Sequence, residues 1–425
     1  MQNLTGILGI ILILGVAYLL SNNKKAIDYR LVFSGIGLQI FLGLLILKVA
    51  PVTRFFGFLG HCMDKLGALA KEGANFVYGG ISMTGYTGAP QDFRAPTSFV
   101  FAFNIPATII LVCVLVAIFY HIGLMQRVIA VIAKVMNKVM RVSGAEALSN
   151  VASAFVGQVE AQVMIRPYIA TMTNSELLAS MSGSMACIAG SILIVYVSMG
   201  VPAAYLLTAS LMAAPGALVI SKIIYPETEE SQTKGDIKLE VKSPYTNIID
   251  AISHGASDGM KIAINVIAML IGFIALIALI NFILGLIYPG FSLDVILGWI
   301  FYPFAWAMGV PQQDVLEVAT LMGKKLSINE FVAYSDLTRM NATAATALTS
   351  KATMVASFAL CGFANFSSVG MQIGGISELA PSRRADLAKL GFKALIAGTL
   401  ASYLSATIAG LLFDVIPTID PSTWF

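Results

Sequence analysis

From Ile262 to Ile287 the chain runs for 26 residues without a charged side chain. Coiled as a helix rising about 1.5 Å per residue, that run is longer than the hydrocarbon core of a bilayer, about 30 Å thick. A helix of that length and character has no place in a small soluble core. Seven more stretches repeat the pattern almost free of charge: Leu4–Leu20, Leu31–Ala50, Ser98–Ile122, Ser184–Met199, Ala203–Ile220, Thr353–Ile373 and Leu390–Leu412. The reading is an all-α integral membrane protein with eight transmembrane helices. Only 12% of residues are charged, where soluble domains carry about 25%, and the mean hydropathy is +0.83.

The same counts narrow the function. A net charge of +3 is too small for a nucleic-acid surface. Cys62, Cys113, Cys187 and Cys361 sit singly among apolar residues, without CxxC or metal-ligand spacing, and read as small buried hydrophobes. His61, His121 and His254 are scattered, so no nucleophile–base pair supports an enzyme of the membrane interior. No cofactor motif is present. The opening MQNLTG has no basic stretch, and no small-residue cleavage site follows the first apolar run, which is expected to be a retained span.

Two segments read as amphipathic. Pro51–Tyr78 interleaves Phe55, Phe56, Phe58, Leu66 and Leu69 with Arg54, Lys65, Lys71 and Glu72, as an interfacial helix does. Gln126–Arg141 carries Arg127, Lys134, Lys138 and Arg141 in the same way. The one long hydrophilic loop, Tyr225–Asn247, reads as a solvated linker between two halves. Lys24, Lys25, Arg30, Arg127, Lys222, Lys234, Arg383, Arg384 and Lys389 fall on one side of the membrane if every span crosses once. That side is the cytoplasm, so both termini are predicted outside a cell (inner) membrane.

Two further segments do not fit as simple spans. Ser143–Met172 opens with a capping-box pattern at Ser143 and Glu146 and breaks at Gly157-Gln158. It ends before Thr173–Glu176, which caps the next helix. Each half is too short to cross alone, so a re-entrant helical hairpin is expected. Irregular backbone at that depth must be buried or line a wet cavity. Pro311–Met340 is expected to form a second hairpin, broken near Gly323-Lys-Lys, with Glu330 in NEFVAYSDL. Each hairpin is followed by a Gly-containing helix, CIAGSIL or LCGFANFSSVG, and by one more apolar span. The order hairpin–helix–helix thus occurs twice, in opposed orientation. Paired interrupted segments of this kind point to a transporter site at the repeat interface. The expected organisation is 1–96, N-terminal spans and interfacial helix; 97–142, third span and amphipathic helix; 143–224, first repeat; 225–310, cytoplasmic loop and sixth span; 311–425, second repeat.

Glu160 and Glu330 lie 170 residues apart at the two hairpins. Ionisable groups at such depth are functional by default; the bland alternative is a hydrogen bond holding a hairpin to its neighbour. With Gln158, Asn365, Ser367 and Ser368 they suit an uncharged, hydroxyl-rich substrate. Carboxylates accept sugar O–H groups, and an amide pairs with a base edge. Phe363 and Ile192 offer flat apolar contact. An anionic substrate would want a fork of cationic donors, and none sits at the first hairpin tip.

At GQVE, RPY, NEFVAYSDL, CGFANFSS, ELAPSRR and KALIAGTLASYLSATIAG the chain resembles the concentrative nucleoside transporters, in order from about Thr97 to the C-terminus. The resemblance implies a bacterial member with eight spans, an interfacial helix and two opposed re-entrant hairpins. It also implies a homotrimer and an elevator-type movement. It assigns Gln158, Val159, Glu160 and Ile192 to the base, Glu330, Asn365 and Ser368 to the ribose, and Phe363 to the pocket wall. The family's sodium position corresponds to Ser153 and Cys187 with the carbonyls of Val156 and Ile188. Two departures stand out. Val159 replaces a hydroxyl residue beside the base. Ser153 and Cys187 replace an amide and a hydroxyl at the ion, and a thiol is a poor ligand for hard sodium. The coupling ion is therefore H+ or Na+, with H+ favoured. The expected function is secondary active import of nucleosides driven by a cation gradient, with uridine-like pyrimidine nucleosides as substrates and purine nucleosides left open. The alternative is a hairpin-type cation-coupled transporter of another small polar or carboxylate substrate.

Overall fold

The computed structural model describes residues 2–78, 101–233, 245–343 and 345–415, and among them every regular element is helical. The first residues of the third expected span and Lys234 lie outside this set. The N-terminal part comprises α1 (Gln2–Leu19), α2 (Tyr29–Lys48), α3 (Ala50–Tyr78), α4 (Phe101–His121) and α5 (Leu124–Met140). The two amphipathic stretches are thus the long helices α3 and α5. α4 and α5 bend against each other by 76°.

The first hairpin follows as α6 (Gly144–Ser153), α7 (Glu160–Val163) and α8 (Arg166–Ile169). Its capping box is formed: Ser143 accepts from the Glu146 backbone N–H, and the Glu146 carboxylate accepts from the Ser143 N–H. The return limb is two short turns rather than one helix. Then come α9 (Asn174–Ala186), opened by the Thr173–Glu176 capping box, α10 (Gly190–Ser198) and α11 (Ala203–Ile224). The span expected as continuous over 184–199 is instead broken at Cys187–Ala189.

The second half comprises α12 (Ile248–Ile287), α13 (Leu293–Ala307), α14 (Val315–Ser327), α15 (Glu330–Asn341), α16 (Ser350–Leu360), α17 (Phe366–Leu379) and α18 (Arg384–Val415). Two expectations are corrected here. The second hairpin turns at Ile328-Asn329, not at Gly323. Gly323 is a packing contact, because a Cβ there would meet the side chain of Leu297 on α13. The seventh span, expected over 353–373, is broken between Leu360 and Phe366. Gly362 has φ +97°, and an added Cβ would strike the carbonyl of Ala186. Only glycine permits that conformation and that approach. The breaks of the two broken helices therefore lie against each other. α13 itself, between sixth span and second hairpin, has no counterpart in the sequence reading.

Among the described residues, four helices (α2, α11, α12, and α18 with its preceding turn) are long and apolar enough to cross a membrane alone, five if α4 and α5 are one bent span. α18 and α11 form the buried centre, with α9, α16 and α1 packed around them. α12 packs mainly on α4 and leaves Ile271, Leu279, Phe282 and Leu286 exposed. The linker is less solvated than expected at its start. Glu227 accepts from Thr173 and Lys222, and Ser231 and Thr233 donate to Glu176.

Candidate binding site between the hairpins

Both hairpin tips and both helix breaks open on one cavity of about 400 Å³. Local capping fixes its polar groups. Asn329 caps α15, accepting from the Val332 N–H, and thereby sets Glu330 as the first residue of that helix. Asn365 caps α17, its Oδ1 accepting from the Ser368 N–H at 2.9 Å and from Ser367 Oγ at 2.8 Å. Two helix N-termini thus converge where a carboxylate is held, the end of the helix dipole that favours negative charge. The Asn365 amide donates to Glu330 Oε2 at 2.9 Å, and the Tyr196 hydroxyl donates to Oε1 at 3.2 Å. Glu330 is 3% exposed.

Glu160 is different. It is exposed to the cavity, and no side chain among the described residues donates to it. Its carboxylate turns back over Gly157, where a Cβ would occupy the same space. One carboxylate is thus fixed by two side-chain donors, and the other meets only backbone N–H groups, those of Val159 and Glu160. Gln158 joins the first hairpin to α17: its Nε2 donates to Ser368 Oγ at 3.4 Å, and its Oε1 accepts from Gln372 Nε2 at 3.2 Å.

All eight candidate substrate residues, Gln158, Val159, Glu160, Ile192, Glu330, Phe363, Asn365 and Ser368, line this cavity, as does Ser367. The opposite wall comes from α4 and α12 and the residues before it: Tyr120, Tyr245, Asp258 and Asn265. No lysine or arginine is among the described lining residues. Sequence reasoning missed Tyr196 and Gln372. Each lies four residues after a named candidate on the same helix, Ile192 and Ser368, and so shares its face. That spacing was the available signal.

The four candidate ion residues are only partly brought together. Val156 lines the cavity, and the Phe155 carbonyl accepts from the Gly190 N–H, joining hairpin tip to helix break. Ser153 Oγ donates to the Ser149 carbonyl at 2.7 Å and lies 2.8 Å from Ser184 Oγ. Ser184 in turn accepts from Gln162 Nε2, and Gln162 Oε1 accepts from Ser180. The Cys187 thiol points to the Ser210 carbonyl on α11, 3.6 Å away, and the Ile188 N–H meets Ser210 Oγ at 3.4 Å. Ser184, Gln162 and Ser210 were not named from the sequence. No cluster of His, Cys, Asp or Glu among the described residues could hold a metal ion.

The family described as Na+ dependent nucleoside transporter, C-terminus, matches residues 205–410, and its N-terminal counterpart matches residues 8–81. A third, described as nucleoside recognition, matches residues 102–203. A Haemophilus influenzae protein named "Uncharacterized transporter" is 42% identical, over 98% of this chain and 99% of its own. Nucleoside permease NupC of Helicobacter pylori is 37% identical over 97% of this chain and 99% of its own. The solved structure of CNTnw in an inward-facing substrate-bound state superposes with a TM-score of 0.91 at 42% identity, covering 98% of this chain and 99% of that one.

Proposed function

Because the chain belongs to the Na+-dependent, or concentrative, nucleoside transporter family, and is a transporter rather than an enzyme, we propose that it imports nucleosides, uridine-like pyrimidine nucleosides among them, across the cell inner membrane, driven by a cation gradient. The observation that carries the substrate reading is the pair of unlike carboxylates on one cavity. Glu330, oriented by Tyr196 and Asn365, accepts ribose hydroxyls, with Ser368 and Asn365 beside it. Gln158 and Glu160 face the base, with Val159, Ile192 and Phe363 as its apolar walls. A cavity without lysine or arginine speaks against the alternative of a carboxylate substrate.

We read eight spans, two of them broken, and two re-entrant hairpins; under the positive-inside rule this arrangement puts both termini outside. The cavity then extends towards Tyr120 and Tyr245, at the cytoplasmic ends of α4 and α12, as an inward-facing state requires. Residues 143–224 and 311–425 act as the moving repeats. Substrate and cation enter from outside, the hairpin-bearing block shifts along the α4–α12 wall, and the first hairpin opens inward. The bound cation offsets the cost of carrying buried carboxylates through the bilayer. Three copies assemble through the exposed apolar surface to which α12 contributes. The deciding experiment is uptake of labelled uridine and adenosine into proteoliposomes under separately imposed sodium and proton gradients. Accumulation against a gradient, abolished by an ionophore, is expected; equilibration alone would make the protein a passive channel.

A further inference from the structure

Lys325 has no part in the mechanism above, yet it is buried to 1% exposure in the second hairpin. No carboxylate lies within ion-pair distance of it among the described residues. Its Nζ instead donates to two carbonyls at the break of the seventh span, Ala359 at 2.9 Å and Cys361 at 3.0 Å. Both lie at a helix C-terminus, where the dipole is negative and a cation is favoured. The Cys361 carbonyl also accepts from Ser402 Oγ of α18 at 2.9 Å, and the Ala359 carbonyl has no other partner among the described residues.

The first repeat has the same frame without the lysine. Cys187 caps the C-terminus of α9 as Cys361 caps that of α16. Both thiols reach carbonyls of α11 one turn apart, Ser210 and Leu206. The first break meets only neutral groups among the described residues. Unwound carbonyls at half-helix C-termini are where coupling cations bind in such folds. The position of Lys325 also bears on the substrate site. It stands five residues before Glu330, across the hairpin tip, while Cys361 stands four residues before Asn365. Its two bonds thus fix the hairpin against the strand of chain that carries the Glu330–Asn365 pair.

We propose that Lys325 is a built-in counter-ion, whose ammonium fills at the second helix break the carbonyl-lined position that a free monovalent cation would otherwise take, and so positions Glu330 against Asn365. Removing the side chain then creates a cation site. The inference about positioning rests on the nucleoside reading; the inference about the vacancy does not.

The test uses the purified full-length protein, with Lys325→Ala and Lys325→Met. Melting temperatures are compared in choline, ammonium and ethylammonium chlorides. Ammonium and ethylammonium are expected to raise that of Lys325→Ala by about 2 °C or more relative to choline, and to leave the unmodified protein unmoved. Uridine affinity of Lys325→Ala is expected to fall about tenfold in choline and to recover in ethylammonium. Lys325→Met, which fills the space without charge, is expected to lose affinity with no recovery. If Lys325→Ala is stable only with ammonium present, the proposal stands. A folded Lys325→Ala with no ammonium response, or a Lys325→Met with unmodified affinity, overturns it. Failure of the unmodified protein to bind uridine would sink the nucleoside reading and leave the melting comparison to decide the role of Lys325.

Discussion

Glu330 and Glu160 share a residue type and a place at a hairpin tip, but their surroundings give them different work. Glu330 accepts one side-chain bond on each oxygen, from Tyr196 and Asn365, and a backbone bond from its own N–H, which leaves acceptor capacity for a ligand. Those two donors hold it in one orientation, which is what a site for a sugar edge needs. Glu330→Gln keeps the shape but converts an acceptor-only group into one with an amide donor, and it forfeits charge-assisted bonds worth roughly 1.5–3 kcal/mol. Uridine affinity, measured by calorimetry, is expected to fall about tenfold to a hundredfold. Unmodified affinity in a folded variant would mean that the carboxylate serves only to tie α15 to α10 and α17. The ion pair of Lys222 with Glu146, 2.8 Å long, joins the foot of the first hairpin to α11. Their side chains are 7% and 3% exposed. Lys222→Met leaves a buried carboxylate without its cation and is expected to cost about 3–5 kcal/mol of stability. The double change with Glu146→Gln should restore most of the lost melting temperature; no recovery would show that Lys222 acts through Ser175 and Glu227 instead.

At the scale of elements, the hairpins are tied to the broken helices. Gln158, at the first tip, is held by Ser368 and Gln372 of α17. Gln158→Ala removes that bridge and the group proposed to face the base. Nucleoside binding is expected to weaken, while free ribose competes no better and no worse. A variant that lost ribose competition but kept base discrimination would reverse the assignment of the two hairpins. Much of this was legible in the sequence, because the signals were local. The capping boxes at Ser143 and Thr173, the amphipathic α3 and α5 and the apolar runs each state their own structure. The breaks in the two broken helices were not. Cys187–Ala189 and Cys361–Asn365 lie within apolar runs, and Gly362 marks its break only through a left-handed conformation and a contact with Ala186, far away in the chain. Gly323 misled for the complementary reason: it serves packing against Leu297 within an unbroken helix. Arg383, read only as a marker of the cytoplasmic side, in fact reaches the carbonyls of Ile169, Ala170 and Met172 at the foot of the first hairpin. Long-range partners of this kind leave no periodicity to read.

In the proposed mechanism the whole molecule couples two movements, of substrate and of a cation, and the identity of the cation is expected to be decided where hairpin, broken helix and α11 meet. Ser153 has its hydroxyl committed to the Ser149 carbonyl, and Ser184 occupies its other side. The thiol of Cys187 points to the Ser210 carbonyl of α11 and lies 4.0 Å from the Asn150 carbonyl of α6, so it too is committed to backbone. A sodium ion would have to displace these bonds and accept sulfur where it prefers oxygen. A proton needs no shell of ligands, and Glu160, exposed to the cavity and free of side-chain donors, can carry one. We therefore expect a pH gradient, acid outside, to drive uridine uptake into vesicles more strongly than an equal sodium gradient. The double change Ser153→Asn with Cys187→Thr supplies an amide oxygen and a hydroxyl beside the carbonyls of Val156 and Ile188, and should increase sodium dependence. Replacing sodium by choline at fixed pH separates the possibilities. If uptake by the unmodified protein collapses without sodium, proton coupling is wrong, and backbone carbonyls and water around Ser153 suffice to hold the ion. If uptake persists and instead collapses when a protonophore removes the pH gradient, the hydrogen-bonded serines are a filled remnant of an ion site, and the proton travels with the carboxylate that the cavity leaves free.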